Sequence, residues 1–160
     1  MAFENKVIIK DRGANRIEKD LKKIGQIDLK IGLFGSGGGP EVNMAARGAL
    51  HQFGETGTVK ALIFGDIPRR PFMSQAFDKG LKSLKKFILI EEKKVIAGSQ
   101  GVDQFIKRIG EYHKGQIFDI YITGDFEKNA EITIQLKGSS RPLIDTGDMR
   151  RRTDYRIEKK

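Results

Sequence analysis

Few side chains in this sequence can carry acid–base or covalent chemistry. Histidine occurs twice, at His51 and His113, and cysteine not at all. The two histidines form no HxH or HxxxH pair, so a local zinc pair is excluded. Without thiols there is no cysteine nucleophile, thiolate metal site or disulfide framework. A proton-transferring His51, in Leu50-His-Gln-Phe-Gly54, would need a partner acid and a nucleophile, and its sequence neighbourhood supplies no such set. The bland alternative is a packing or hydrogen-bonding residue that closes a helix.

Asp145 and Asp148 flank Thr146-Gly147. Two carboxylates can divide acid and base work or hold magnesium. Asp145-Thr-Gly147 also matches the aspartic-protease signature. Those enzymes need two apolar-flanked copies in a mostly β fold, and this chain is helix-rich. The local alternative is a capped turn or helix, with Gly147 at a special backbone angle. The run Gly35-Ser-Gly-Gly-Gly-Pro40 follows a strand and precedes a helix, as phosphate loops do. It lacks both the Gly-Lys-Ser/Thr ending and the spaced glycines of a dinucleotide fingerprint, and reads as a flexible connection. The sequence therefore predicts no catalytic residues, no cofactor, no metal and no enzyme.

Charge points elsewhere. Thirty Lys and Arg against 21 Asp and Glu leave a formal charge of +9 in 160 residues. Such a balance favours anionic partners: nucleic acid, an acidic protein surface or a membrane surface. Arg141, Arg150, Arg151, Arg152 and Arg156, with Lys159 and Lys160, concentrate it in a basic C-terminal segment, 137–160. These residues suit phosphate contacts or an acidic partner. Only Tyr155 offers a nearby aromatic, and no base-reading motif is present. Arg69-Arg70 stands between Pro68 and Pro71, which lower the cost of ordering the segment. It suits a protein–protein contact and equally a loop pinned to its own domain.

The elements that must position these residues follow from periodicity. Lys6–Lys10 is β-prone. Ala14, Ile17, Leu21 and Ile24 recur at helical spacing, and Leu29, Ile31 and Leu33 alternate as in a strand. A helix over 41–53 is expected to turn Val42, Ala45, Ala46, Ala49, Leu50 and Phe53 inward. Residues 54–66 read as an irregular loop or short hairpin, and 67–72 is held extended by its prolines. Two long amphipathic helices start at Phe72 and Val102, separated by Gly98–Gly101. Glu131–Leu136 fits a short strand or a helical turn. A turn-rich loop, a basic turn and a strand over 153–158 close the chain. The prediction is one α+β domain, 1–160. A small antiparallel or mixed β-sheet packs against several amphipathic helices, two of them long, with flexible loops near 36–40 and 54–66. No apolar run approaches the roughly 18 residues of a membrane span. The first residues lack a signal peptide's apolar core, which predicts cytoplasmic synthesis.

Three phrases carry a resemblance. They are Ala45-Ala-Arg-Gly-Ala-Leu-His-Gln-Phe-Gly54, then Ile67-Pro-Arg-Arg-Pro-Phe72 running on to Ala76-Phe-Asp78, and Lys137-Gly-Ser-Ser-Arg-Pro-Leu-Ile-Asp-Thr-Gly147. In order and spacing the chain resembles, from about Ile31 to Ile157, the small neck and tail-completion proteins of tailed bacteriophages, also called minor tail or head–tail joining proteins. It departs from them after Gly54 and over Gly124–Leu136. The resemblance implies a virion structural protein, assembled in the host cytoplasm. It implies a ring of about six copies at the head–tail joint, closed by heterologous contacts. Its implied partners are copies of itself, tail-tube or terminator proteins, head-closure or connector proteins and, without sequence preference, the DNA in the channel; a membrane is not among them. His51, Phe53, Pro68, Arg69, Arg70, Pro71 and Phe72 are the first candidate fold-and-interface residues, and Pro142, Asp145, Thr146, Gly147 and Asp148 the second. Arg141, Arg150, Arg151, Arg152 and Arg156 are candidate contacts to channel DNA or an acidic partner. The alternative is a non-specific nucleic-acid-binding protein using the basic C-terminal segment.

Overall fold

The computed structural model describes residues 13–34, 43–56, 66–144 and 147–160. Within them run α1 (Ala14–Gly25), β1 (Ile27–Leu33), α2 (Met44–Phe53), α3 (Phe72–Ile96), α4 (Val102–Thr123), α5 (Glu131–Lys137), α6 (Asp148–Arg152) and β2 (Thr153–Lys159). The architecture is α+β: a two-stranded antiparallel sheet packed on helices, two of them long. The expected third strand, Lys6–Lys10, lies outside the described residues, as do the 36–40 loop and most of the 54–66 loop.

The long helices form an antiparallel hairpin, since each carries an apolar stripe and Gly98, at φ 78°, turns the chain between them. Two apolar clusters occupy its ends. Phe72, Ala76, Ile117, Ile120 and Tyr121 meet Leu33, Met44, Leu143 and Met149 at one end. Val95, Val102, Phe105 and Ile106 gather at the other, with Ile24, Ile27 and Leu29 laid against them. Between the clusters Phe87 stacks on Tyr112, ring centroids 4.2 Å apart. Glu91, only 1% exposed, is ion-paired with Lys94 of its own helix and with Arg108 across the hairpin, both at 2.6 Å. The Lys94 hydrogen bond leads the interactions that hold its carboxyl below the ordinary carboxylate value.

A two-stranded sheet is marginal by itself. Here β1 and β2 pair from Ile27↔Lys159 to Leu33↔Thr153, and α4 supplies the support. The approach is close at Gly110: a Cβ there would fall 2.6 Å from the Tyr155 ring of β2. At the sheet's buried end the Tyr121 hydroxyl lies 3.0 Å from Thr153 Oγ1, which itself donates to the Met149 carbonyl. Burial pushes the Tyr121 phenol up to about 12. Helix α1 is fastened by Arg16, which donates to the Val95 and Ile96 carbonyls at the end of α3, where helical carbonyls lack partners.

One local expectation changes, and the open choice over 131–136 is decided. Helix α2 buries Met44, Gly48 and Gln52, and leaves Ala45, Ala46, Ala49, Leu50 and Phe53 exposed. Gly48 faces Leu33 so closely that a Cβ would meet its Cδ1 at 2.3 Å, and hydrogen bonds satisfy Gln52, so neither residue announces itself by hydropathy. Residues 131–137 are helical and end at Gly138, whose φ of 65° is left-handed. The basic turn is the short helix α6.

Candidate functional site

Helix α2 starts at Asn43, whose side chain accepts from the Ala45 and Ala46 amides. It ends at Gly54, φ 76°, where a Cβ would lie 3.0 Å from the Ile67 carbonyl. The returning chain is therefore pressed against the helix end. Glu55 and Ile67 exchange backbone hydrogen bonds at 2.9 Å, and the Arg70 amide donates to the His51 carbonyl at 2.6 Å. Gln52 completes the clamp. Its Oε1 accepts from the Met73 amide in the first turn of α3, and its Nε2 donates to Ser74 Oγ at 2.6 Å. The His-Gln-Phe-Gly and Pro-Arg-Arg-Pro phrases thus form one hydrogen-bonded unit.

Arg70 is 5% exposed. Its Nε and Nη2 donate to the Glu127 and Lys128 carbonyls at 3.1 and 3.3 Å. Asn129 continues the chain of contacts, donating to the Ser140 and Arg141 carbonyls, and Lys137 Nζ lies 3.4 Å from the latter. The third phrase is drawn onto the same unit. Leu143 sits at φ 62°, a conformation L-residues rarely adopt, and is held there by burial in the core.

These segments enclose a cavity of about 260 Å³. Arg47 and His51 come from α2, Arg70 from the proline loop, Asn129 from the connection, and Thr133 and Lys137 from α5. Leu143, Gly147, Asp148 and Met149 complete the wall. Burial foremost, then the positive charges of Arg70, Arg47 and Lys137, press His51 down to about 4. The imidazole is neutral at pH 7, and its buried Nδ1 has no hydrogen-bond partner among the described residues. Asp148 is ion-paired with Arg151.

The predicted residues divide accordingly. His51, Arg70, Gly147 and Asp148 meet at the cavity. Phe72 is fully buried in the core, and Pro68, Pro71 and Pro142 are partly buried. Arg69 and Phe53 face solvent, Phe53 at 72% exposure. Asp145 and Thr146 lie outside the described residues. Of the proline-flanked arginines, only Arg69 is presented outward; the pair does not offer two free guanidinium groups. Arg141, Arg150, Arg151, Arg152 and Arg156 are exposed. Arg150 rests over the Phe118 ring and Arg156 over Phe34. His113 is remote, its Nδ1 2.8 Å from Gln116 Oε1.

Sequence reasoning missed Arg47, Asn129, Thr133 and Lys137. Arg47 was within reach, because it stands four residues before His51 and shares its helix face. Asn129 had no local signal. Among the described residues no cluster of three or more His, Cys, Asp or Glu could hold a metal, and no helix is long and apolar enough to cross a membrane. No known protein family, curated protein or solved structure matches this chain.

Proposed function

We propose that this chain is a structural protein of a tailed-phage virion, a neck or tail-completion subunit that closes into a ring at the head–tail joint around the DNA channel. The observation that carries the reading is the convergence of the three resembling phrases. Segments up to about 100 residues apart in sequence build one interlocked unit, as parts of a shared fold must. A second feature agrees with an assembly role. Helix α5 turns Thr133 and Lys137 to the cavity and leaves Ile132 and Leu136 in solvent, Leu136 at 84% exposure. Exposed apolar side chains on α5, and Leu50 and Phe53 on α2, suit contacts with neighbouring subunits. The partners are further copies of the chain, a tail-tube or terminator protein and a head-closure or connector protein.

The exposed Arg141, Arg150 and Arg152 favour a second reading, non-specific nucleic-acid binding. In the ring the same arginines contact passing DNA weakly and without reading its sequence. As the primary function, that binding would be tight, with a steep dependence on salt.

The deciding experiment deletes the gene from the phage genome that encodes it. The expected result is full heads and separate tails, rejoined when the protein is supplied from a plasmid. Normal infectious particles overturn the reading.

A further inference from the structure

We propose that a second copy of this chain fills the groove between α1 and α3 with the exposed ridge of its α5. Helix α1 has an apolar stripe at helical spacing, Ile17, Leu21 and Ile24, yet none of its residues is fully buried. Polar ties hold it instead. Arg16 donates to the Val95 and Ile96 carbonyls, and Lys23 pairs with Asp103 of α4 at 2.6 Å. The stripe stands off from Ile88, Val95 and Ile96 of α3, and the gap is a groove of about 410 Å³. Leu21, in its wall, is 61% exposed. A connected apolar lining left open to solvent marks an interaction surface.

Shape, charge and position select α5 of another copy as the occupant. Ile132 and Leu136 stand one turn apart on α5, exposed, and form a short aliphatic ridge that can anchor in an apolar groove. Asp20 and Glu92 line the groove, and no lysine or arginine is among its described lining residues. Arg16 shares Asp20 at 3.2 Å, which leaves Glu92 as the main counter-charge. Lys128 and Arg141 are exposed on either side of α5, whose one carboxylate is Glu131. Two copies of a +9 chain repel at a distance, so a contact between them must set acid against base locally. The groove lies at the Val95–Val102 end of the long hairpin. Helix α5 lies at the Phe72 end, where Thr133 and Lys137 share a cavity with Leu143 and Met149. The length of α3 separates the two by about 35 Å, so no chain reaches its own groove. The contact does not rest on the virion reading, since a reciprocal pair satisfies it as well as a ring does.

The chain has no cysteine, so introduced thiols report contacts without background. Leu21→Cys, Leu136→Cys and, as a control away from the groove, Gly115→Cys each alter an exposed position. Equimolar single variants of the full chain are mixed under oxidised glutathione, and peptide mass spectrometry identifies each disulfide. The expected result is a 21–136 bond that forms about tenfold or more faster than 21–21, 136–136 or 115–136 bonds, because docking raises the local thiol concentration. Glu92→Lys in the Leu21→Cys chain should slow that bond severalfold. Equal rates for every pair overturn the proposal and leave the groove to a partner other than this chain. A dominant 21–21 or 136–136 bond overturns it in favour of like faces pairing. An unchanged rate in Glu92→Lys removes the charge match and overturns the choice of α5. Oxidation of the Leu21→Cys/Leu136→Cys double variant separates the two readings. A ladder beyond two copies is the head-to-tail arrangement a ring needs, whereas a covalent pair that stops at two keeps the contact and refutes the ring.

Discussion

His51 makes the protein's stability depend on pH in a way that one substitution can isolate. Its folded pKa, about 4, lies below the ordinary 6.5, chiefly through burial and then through Arg70, Arg47 and Lys137. As pH falls, the unfolded chain takes up this proton first. The contribution is therefore fully present above about pH 6.5 and is lost as pH falls toward 4. Linkage between those two values gives about 2 kcal/mol lost at pH 5 and about 3 kcal/mol at pH 4. The ring is partly exposed, and solvent screening roughly halves both figures. The assay is urea unfolding followed by circular dichroism between pH 7.5 and 4, with His51→Gln run in parallel. Carboxylates titrate in both proteins and cancel in the difference. The expected outcome is a wild-type stability that declines about 1 kcal/mol further than the variant's by pH 5. Parallel curves refute the reasoning, as does an NMR titration of His51 centred near 6.5.

Five further variants test the packing, three of them at the site. Gly110→Ala adds a methyl against the Tyr155 ring, so overpacking of about 1–3 kcal/mol outweighs a helix-propensity gain of about 1. Gly115→Ala, with nothing within 4 Å of the new Cβ, keeps only the gain and should raise Tm by about 2–4 °C in a scanning calorimeter. Gln52→Leu strips the Met73 amide and Ser74 hydroxyl of their partner and should cost about 1–3 kcal/mol in urea unfolding. Arg69→Ala should change stability by no more than about 0.5 kcal/mol. Arg70→Ala, which leaves the Glu127 and Lys128 carbonyls unpaired, should cost at least about 2 kcal/mol by the same measurement. Equal effects of the two arginine variants would contradict the buried position of Arg70.

What the sequence made legible was periodicity. Helices α1, α3 and α4 and strands β1 and β2 each carry an apolar pattern of their own period, and their positions follow within a residue or two. Helix α2 misled because its burial does not follow hydropathy. Alanines and Phe53 outnumber the buried face, while Gly48 is buried for its lack of a side chain and Gln52 for its hydrogen bonds. Residues 131–136 alternate Ile132, Ile134 and Leu136 as a strand would, yet they fold as a helix that exposes two of the three. Period-two spacing identifies a strand only where the segment reaches a sheet edge, and the sheet among the described residues consists of β1 and β2 alone. The direction of Arg70 was illegible for a related reason. Its acceptors are backbone carbonyls 57 and 58 residues away, and a carbonyl leaves no mark in the sequence.

The same carbonyls explain why the cavity is electrostatically unusual. An arginine on a surface loop relaxes toward water, and its field fades within about a Debye length. Arg70 is denied that relaxation, so its charge stays beside His51 and contributes to the pressure that keeps the ring neutral. Asp148 offsets part of the positive field, but it also serves Arg151. Arg47 adds to the same pressure from one turn away on the same helix. Arg47→Glu replaces that cation with a carboxylate, which favours the charged imidazole, so the His51 pKa is expected to rise above about 4 in an NMR titration. An unmoved value would show that burial alone sets it.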